Sequence, residues 1–338
     1  KTVQRMDEAL LDNCRRQGLF KSGDRVIAAC SGGADSMALL LFLLRHRRTL
    51  EIEVLATHVN HGIRGETARR DADFVAYFCR RNGVELFLYD AVQEGIEVPP
   101  RPSEDWARGL RYGWFDELAA REEAVIATAH TMSDQAETVL FRMARGTGLR
   151  GLTGIPARRG GIVRPLLQTP RRDIEEYLTA HGIPHVEDST NAETDAARNR
   201  IRLDVLPRLE RIHPGAAAGI ARMSETLAED EAFLASLAEE KLALWGEAIP
   251  GAELCALPRP VARRALARWL GGELSRERFD ALLRFAAGDG DGAVIAAGAV
   301  HAAVLVAVGL ELLEAGIPVH IFAALVVAAG AAHALRVE

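Results

Sequence analysis

The feature that most constrains the fold is a regular alternation of short apolar runs with longer helical patterns, which begins near residue 26 and continues to residue 145. The apolar runs predict strands at 26–30, 53–59, 84–89 and 124–129, and the patterns that follow them predict helices at 37–44, 67–81, 104–121 and 134–145. A helix after every strand is typical of parallel strands joined by crossover connections. The sequence therefore predicts an α/β protein with a doubly wound, Rossmann-like parallel sheet, in which ligands bind at the carboxyl ends of the strands.

The chain changes character after residue 215, where strand patterns give way to helical ones. Helical patterns follow at 216–245, 259–270 and 275–287, with a Pro-Gly break at 250–251 and a glycine-rich turn at 288–292. We therefore predict three parts: an α/β catalytic domain at 1–215, a helical domain at 216–290 and a small C-terminal segment at 291–338.

Two stretches of that last part, 293–310 and 316–335, are almost free of charge and approach the length of a membrane span. Their valine runs, weakly hydrophobic alanines and histidines favour buried strands or short helices over a membrane hairpin. No membrane partner is expected.

The composition is that of an ordinary globular protein, with 49% hydrophobic and 26% charged residues among 338. A net charge of −6 gives no general sign of nucleic-acid binding, although a local basic face is compatible with it. The cysteines are scattered without a Cys-x-x-Cys pair, at Cys14, Cys30, Cys79 and Cys255. This spacing argues against a disulfide framework, a zinc ribbon or an iron–sulfur cluster, and with no apolar leader at 1–18 it predicts a cytoplasmic protein.

A polar hexapeptide, Ser-Gly-Gly-Ala-Asp-Ser, lies between the first predicted strand and helix. Its glycines let the backbone approach a phosphate, and the amides of the loop and of the helix start would point at the anion. Asp35 is compatible with phosphates only if a cation lies between them, so it predicts Mg²⁺. The alternative is a tight turn stabilised by Asp and Ser caps. The predicted phosphate-binding residues are Ser31, Gly32, Gly33, Ala34, Asp35 and Ser36.

Histidines and an arginine follow the second predicted strand. His58 and His61 are candidate metal ligands, but no cluster of carboxylates or cysteines completes a site, which favours a structural or substrate-positioning role. Arg64 is a candidate phosphate contact, because a guanidinium matches phosphate oxygens in geometry and charge.

A second group of candidates follows the third and fourth strands. Arg108 and Arg111 lie three apart on one helical face, as a phosphate contact or as a solvated basic face. His130 closes the fourth strand and is a candidate proton acceptor or phosphate contact. Asp134 and Glu137 also lie three apart, so both carboxylates could reach one cationic ligand; alternatively, they cap or brace their helix.

In this order the segments resemble the motifs of the tRNA(Ile)-lysidine synthetases, a branch of the ATP pyrophosphatase or PP-loop enzymes. Residues 31–36 resemble SGGxDS, 58–64 resemble HVxHGLR, 104–112 resemble ExxARxxRY, and 128–138 resemble TAHHxDDQAET. Shorter matches to RPLL, RxxIxxY, DxSN and RNRIR begin at Arg164, Arg171, Asp188 and Arg198. Two residues depart from the pattern: Thr131 replaces a histidine and Ser133 replaces an aspartate, for which helix capping by Ser133 is one explanation.

The resemblance implies an adenine nucleotide alpha hydrolase-like fold and a ligase that uses ATP and Mg²⁺. Its substrates would be free L-lysine and the wobble cytidine of a CAU-anticodon tRNA(Ile), which is first adenylylated. The implied ATP-binding residues are the loop with His58 and Arg64, and the implied catalytic residues are Asp35, Arg108, Arg111 and His130. Lysine would be bound by Asp134 and Glu137, and tRNA by Arg198, Arg200 and Arg202.

Two other functions stay open beside this one. A 2-thiocytidine-type enzyme would share the first step but would need cysteines to deliver sulfur, which the cysteine spacing disfavours. A binding protein that has lost catalysis is suggested only by Thr131 and Ser133. The resemblance also implies that the helical domain contributes to tRNA binding and that the C-terminal segment is truncated or degenerate; a homodimer stays open.

Overall fold

The computed structural model describes residues 2–63, 66–186, 196–246, 248–288 and 294–296, which fall into two compact units, 1–228 and 229–338. The first unit contains a six-stranded sheet. Its strands are β1 (Arg25–Ala29), β2 (Glu53–Asn60), β3 (Leu86–Asp90), β4 (Val125–Ala127), β5 (Arg158–Arg159) and β6 (Ile162–Val163). The α-helices between residues 2 and 180 are α1 (Thr2–Arg16), α2 (Ala34–His46), α3 (Glu66–Asn82), α4 (Glu104–Arg121), α5 (Met132–Ala144), α6 (Leu149–Leu152) and α7 (Arg171–Ala180).

The sheet has the strand order β3-β2-β1-β4-β6-β5, and every neighbouring pair is parallel except β5 with β6. The predicted doubly wound sheet is thus confirmed. The chain first builds outward from β1 to β3 and then returns to place β4 on the other side of β1. This reversal is a topological switch point, the place where open α/β sheets form a crevice at the carboxyl ends of their strands.

Alternate residues of β1 explain why helices cover both faces of the sheet. Val26 and Ala28 pack into one apolar cluster with α2, whereas Ile27 packs into a second cluster with Phe115 and Leu118 of α4. Successive side chains of a strand point to opposite faces, so a central strand buried on both sides must be apolar throughout.

Helix α7 is fixed to the N-terminal helix by a buried polar contact. Ile174, Tyr177 and Leu178 are buried on its inner face. The Tyr177 hydroxyl donates a hydrogen bond to Asp7 Oδ1 of α1 at 2.9 Å. Because a buried hydroxyl and a buried carboxylate satisfy each other here, the position of α7 relative to α1 is defined by more than apolar packing.

After α7 the described chain resumes as one helical run. It comprises α8 (Ala196–Arg200), a π-helical segment (Ile201–Val205) and α9 (Leu206–Ile212). The long helix α10 (Ala216–Trp245) follows, and the division between the two compact units falls inside it, after Ala228. The predicted boundary at 215/216 coincides with the start of α10, and the predicted three-part division stays a prediction.

The second unit contains the end of α10 and a small helical cluster. Its elements are β7 (Ala248–Pro250), α11 (Gly251–Ala256), α12 (Arg259–Trp269), α13 (Arg276–Gly288) and β8 (Val294–Ala296), with β7 antiparallel to β8. Ile249, Leu266 and Phe279 lie in its core. Most of the predicted turn at 288–292 and of the two apolar stretches lies outside the described residues. Within the described part of the chain, no helix is long and apolar enough to cross a membrane.

Candidate nucleotide and substrate site

The loop between β1 and α2 lies at the switch point and is braced by its own serines. Ser36 Oγ donates to the Gly33 carbonyl at 2.9 Å and accepts from the Ser31 amide at 3.2 Å. No side chain caps the start of α2, where Gly33 occupies the N-cap position. The amides of that first turn are therefore not satisfied by a capping side chain, and the helix dipole favours an anion there. This geometry fits the predicted phosphate-binding role of the loop.

Gly32 is the position of this loop that requires glycine. Its φ of +92° is rarely adopted by other residues, and a Cβ would lie 3.4 Å from Val186 Cγ2 and 3.5 Å from Phe74 Cδ1. The Val186 amide donates to the Gly32 carbonyl at 2.9 Å. The chain that follows α7 therefore lies directly on the loop and holds one of its peptide groups.

Asp35 is a partly buried carboxylate with unequal oxygens. Its Oδ2 lies 3.0 Å from Arg171 Nη1, whereas Oδ1 is buried and has no hydrogen-bond partner. Burial raises the pKa of Asp35 to about 6, the nearby Arg171 opposes this shift, and Asp134 adds to it. A buried carboxylate oxygen without a partner is costly unless a cation or donor completes it.

The unpartnered oxygen of Asp35 therefore fits the predicted Mg²⁺. Among the described residues no group of three or more His, Cys, Asp or Glu side chains could hold a metal ion. Mg²⁺ commonly takes one or two protein carboxylates and completes its shell with phosphates and water. On the protein side, Asp35 is the carboxylate that would hold the metal.

His58 is tied to the residue that precedes the loop. Its Nδ1 lies 2.8 Å from the Cys30 carbonyl, and burial lowers the pKa of the ring. This contact supports the structural alternative among its predicted roles, while nucleotide contact by His58 stays a prediction. His61 lies instead near α4, with Arg111 Nε 3.4 Å from its Nε2. Arg64 lies outside the described residues.

His130 follows β4 on the opposite side of the switch point. Its Nδ1 lies 3.0 Å from Thr128 Oγ1. Burial lowers the pKa of His130 to about 4, an effect that Asp134 opposes and that Arg164 and Arg108 reinforce. The ring is therefore neutral near pH 7, which suits a hydrogen-bonding contact better than a proton acceptor.

The structure places Asp134 at the start of α5. The backbone amide and the hydroxyl of Thr131 both donate to Asp134 Oδ2, at 2.7 and 3.0 Å. Thr131 is thus the N-cap residue, and the explanation that Ser133 caps this helix is wrong because α5 already begins at Met132. One oxygen of Asp134 braces the helix, as the alternative to lysine binding required.

Glu137 lies one turn further along α5 and is buried. Burial raises its pKa to about 7, Asp134 raises it further, and Arg202 and Arg198 oppose the shift. A carboxylate with this environment is held out of water beside another carboxylate. Such a group is a candidate for binding a cationic ligand or for exchanging a proton near neutral pH.

The three arginines of 198–202 differ in their surroundings. Arg198 Nη2 donates to Thr138 of α5 at 3.1 Å, and the charge of Arg202 acts on Asp35 and Glu137. Arg200 is exposed. The π-helical segment begins immediately after it, a distortion often found at functional sites. The structure thus brings two of the predicted tRNA-binding arginines to the carboxylates.

Two arginines in the predicted motifs have positions that sequence reasoning missed. Arg164 is only 2% exposed and its Nη1 donates to the Pro156 carbonyl at 2.8 Å, so it does not belong to an RNA-binding surface. Arg171 reaches Asp35 across 136 residues of sequence. The sequence shows the R-x-x-I-x-x-Y pattern that begins at Arg171, but it does not show that Arg171 pairs with Asp35.

The predicted catalytic residue Arg108 stacks on Tyr112, with its guanidinium carbon 4.7 Å from the ring centroid.

A glycine loop at the switch point, an uncapped helix start and an acidic side chain in its first turn are together typical of nucleotide-binding α/β proteins. A family model described as a PP-loop domain matches residues 2–209, and the chain belongs to this family.

Several similar proteins are named tRNA(Ile)-lysidine synthases. The chain is 37% identical over 298 residues to the tRNA(Ile)-lysidine synthase of Geobacter sulfurreducens, covering 83% of this chain and 63% of the relative. It is 42% identical over 247 residues to that of Symbiobacterium thermophilum, covering 70% and 51%. The chain thus spans about half to 63% of the length of these relatives.

A solved structure shares the fold. The U34-tRNA thiolase NcsA from Methanococcus maripaludis matches with a TM-score of 0.56 and 20% identity, over 66% of this chain and 78% of that one.

Proposed function

We propose that this chain is the catalytic part of a tRNA(Ile)-lysidine synthase, acting with ATP on lysine and tRNA. The observation that carries the proposal is the adjacency of two subsites at the switch point. One is the loop with Asp35, suited to a nucleotide phosphate and a cation; the other is Glu137 with Asp134, suited to an ammonium group. Strands β1 and β4 are paired neighbours, so the loop after β1 and helix α5 after β4 begin at the same edge of the sheet, and the charge of Asp134 acts on Asp35. The named relatives support the same activity.

The first step would form the adenylylated tRNA. The C2 carbonyl oxygen of the wobble cytidine bonds to the α-phosphorus of ATP while the bond to pyrophosphate breaks. The loop amides and the start of α2 would hold phosphate oxygens, and bound Mg²⁺ would neutralise the charge of the leaving pyrophosphate. Neutral His130 would serve as a hydrogen-bonding contact. The cytidine must leave the anticodon stack to reach this crevice.

The second step would join lysine to the base. The ε-nitrogen bonds to C2 while the bond between C2 and the adenylylated oxygen breaks, so AMP leaves with that oxygen. Before attack the ε-ammonium must lose a proton. Glu137, whose pKa burial raises to about 7, is a better acceptor than an ordinary glutamate. Asp134 would orient the same amino acid with the oxygen that does not brace the helix.

The cysteines do not support the 2-thiocytidine alternative. Cys14, Cys30 and Cys79 are buried, and Cys255, which is exposed, belongs to the second unit. Burial raises the pKa of the Cys79 thiol to about 11, which disfavours the reactive thiolate. The use of tRNA(Ile) as substrate and a cytoplasmic location are parts of the proposal, whereas a homodimer stays open.

The deciding experiment is mass spectrometry of tRNA(Ile) transcript after incubation with the chain, ATP, Mg²⁺ and lysine. We expect pyrophosphate release that requires tRNA, and a tRNA mass increased by one lysine less water only when lysine is present. Pyrophosphate release with no lysine product would favour a different nucleophile. Nucleotide binding without any pyrophosphate release would favour a binding protein, and either result would overturn the proposal.

A further inference from the structure

The two oxygens of Asp35 have different partners, and the difference originates outside the loop. Arg171 Nη1 binds Oδ2 at 3.0 Å, while Oδ1 remains buried without a partner. Arg171 is the first residue of α7 and belongs to neither the loop nor α2. A carboxylate bound through one oxygen by a guanidinium loses its freedom to rotate, so the orientation of the second oxygen is defined as well.

We propose that Arg171 is a positioning residue, which holds the Asp35 carboxylate so that Oδ1 is presented to the Mg²⁺ of a bound nucleotide. The inference rests on the proposed nucleotide site. Helix α7 thereby takes part in metal binding, a role that the sequence and spacing of the loop do not indicate.

The surroundings of Arg171 show that its own position is fixed. Its Nε donates to Glu175 Oε1 at 3.1 Å, one turn along α7. The guanidinium therefore bridges two carboxylates through different nitrogens, an arrangement that a lysine ammonium on a flexible stem reproduces poorly. The buried contact of Tyr177 with Asp7 holds the same helix from its other end.

The charge balance around Asp35 agrees with a role beyond simple pairing. Asp134 and Glu175 act on Asp35 as negative charges, and Arg171 and Arg202 act as positive ones. Arg171 is 49% exposed and the Asp35 side chain 26% exposed, so the pair lies at the rim of the crevice. An ion pair this exposed contributes little to the free energy of folding. The main consequence of the contact is therefore the orientation of the Asp35 carboxylate.

The matched control is the next residue. Arg172 has the same chemistry, lies on the same first turn of α7, and pairs at the surface with Asp173 and Glu176 while 81% exposed. Arg172→Ala therefore removes the same side chain without reaching Asp35. Arg171→Lys retains the charge but loses the planar fork.

The test is calorimetric titration of Mg²⁺ into the full chain with α,β-methylene-ATP, and of the analogue without metal. For Arg171→Ala we expect the half-saturating Mg²⁺ concentration to rise about tenfold, the usual effect of losing one charge-assisted hydrogen bond. Analogue affinity without Mg²⁺ should stay within about twofold of wild type, because only the metal step depends on the carboxylate orientation. Arg171→Lys should recover part of the loss, and Arg172→Ala should match wild type.

Two results would overturn the inference. An unchanged or lowered Mg²⁺ requirement in Arg171→Ala would show that the ion pair does not help the metal. An equal loss of analogue affinity with and without Mg²⁺ would indicate that Arg171 contacts the phosphates directly. If Arg171→Ala fails to fold, Arg171→Gln carries the same comparison. The assay contains neither tRNA nor lysine, so failure here and failure to form lysidine are separate outcomes.

Discussion

At the scale of single residues, Asp35 combines a cost to stability with a proposed function. Its buried, unpartnered oxygen and its pKa, raised to about 6 by burial, both disfavour the charged form in the folded protein. We expect Asp35→Asn to leave the melting temperature unchanged or raise it, while abolishing Mg²⁺-dependent pyrophosphate release. Calorimetry and a pyrophosphate assay on the same preparation check both parts. Near-wild-type turnover would remove the metal role.

Gly32 is the loop residue whose replacement we expect to be costly through conformation alone. With φ at +92°, Gly32→Ala should destabilise the fold by about 1–2 kcal/mol and weaken ATP binding. Gly33 has φ of −73°, and a Cβ there would only make ordinary contact with Ser31 Oγ at 3.5 Å. Gly33→Ala is therefore the control, and denaturant unfolding compares the two. Equal unfolding free energies would contradict the conformational argument.

Glu137 gives a pH-dependent prediction with a defined sign. Burial raises its pKa from 4.5 to about 7, so the folded protein retains a proton that the unfolded chain releases between these values. The free energy of unfolding therefore falls as pH rises through this window. Glutamine does not ionise, so above pH 7 the free energy of unfolding of Glu137→Gln should exceed that of wild type by on the order of 2 kcal/mol. Below pH 4 this gain should be absent. The same difference in unfolding free energy between Glu137→Gln and wild type at every pH would contradict this prediction.

The same variant tests lysine binding. Glu137→Gln should raise the lysine requirement strongly and leave ATP affinity nearly intact, so that adenylylated tRNA forms and persists. Steady-state kinetics with lysine and ATP varied separately provide the measurement. Equal losses for both substrates would favour a bracing role for this carboxylate.

At the scale of elements, long periodic patterns were predictable and short or tertiary features were not. The predicted helices at 104–121 and 216–245 coincide with α4 and α10, because an amphipathic or helix-favouring pattern sustained over several turns leaves little ambiguity. Strands β5 and β6 are two residues long each and were missed, since their formation depends on the sheet edge available to them.

The same distinction between local and tertiary features applies to the candidate site. The position of the loop was predictable because a polar, glycine-containing segment between a strand and a helix is a local signal, while its phosphate-binding role stays a prediction. The contact of Arg171 with Asp35 was not, because it requires α7 to be docked first. The capping box was predictable only in part: a bracing role for Asp134 was one alternative, but its pairing with Thr131 depends on where α5 begins.

The docking of α7 can be weakened without touching the crevice. Tyr177→Phe removes the buried hydrogen bond to Asp7 and should cost about 1 kcal/mol of unfolding free energy, since the Asp7 carboxylate keeps its contacts with His46 and Arg45. If α7 positions Arg171, the Mg²⁺ requirement for analogue binding should rise as well. Thr179→Ala is the control, since that hydroxyl bonds within α7 to the Glu175 carbonyl at the surface. A stability loss with an unchanged Mg²⁺ requirement would separate the two effects.

At the scale of the whole molecule, a net charge of −6 opposes the approach of RNA, so the proposed tRNA binding must rely on local cations. Of the arginines at 198, 200 and 202, Arg200 is exposed, whereas Arg198 bonds to Thr138 beside the carboxylates. The structure therefore distinguishes one arginine suited to a phosphate from another suited to the active crevice.

This distinction predicts opposite phenotypes for two neighbouring variants. Arg200→Ala should weaken tRNA binding uniformly and reduce the slope of log affinity against log salt by about one, as expected for one lost phosphate contact. Arg198→Ala should leave the salt slope nearly unchanged, because its guanidinium faces Thr138 and opposes the charge of Glu137. It should instead alter the lysine requirement. Filter binding across a salt series, with lysine kinetics in parallel, measures both. A wild-type slope in Arg200→Ala would exclude that contact, and an equal slope loss in Arg198→Ala would place its side chain on RNA.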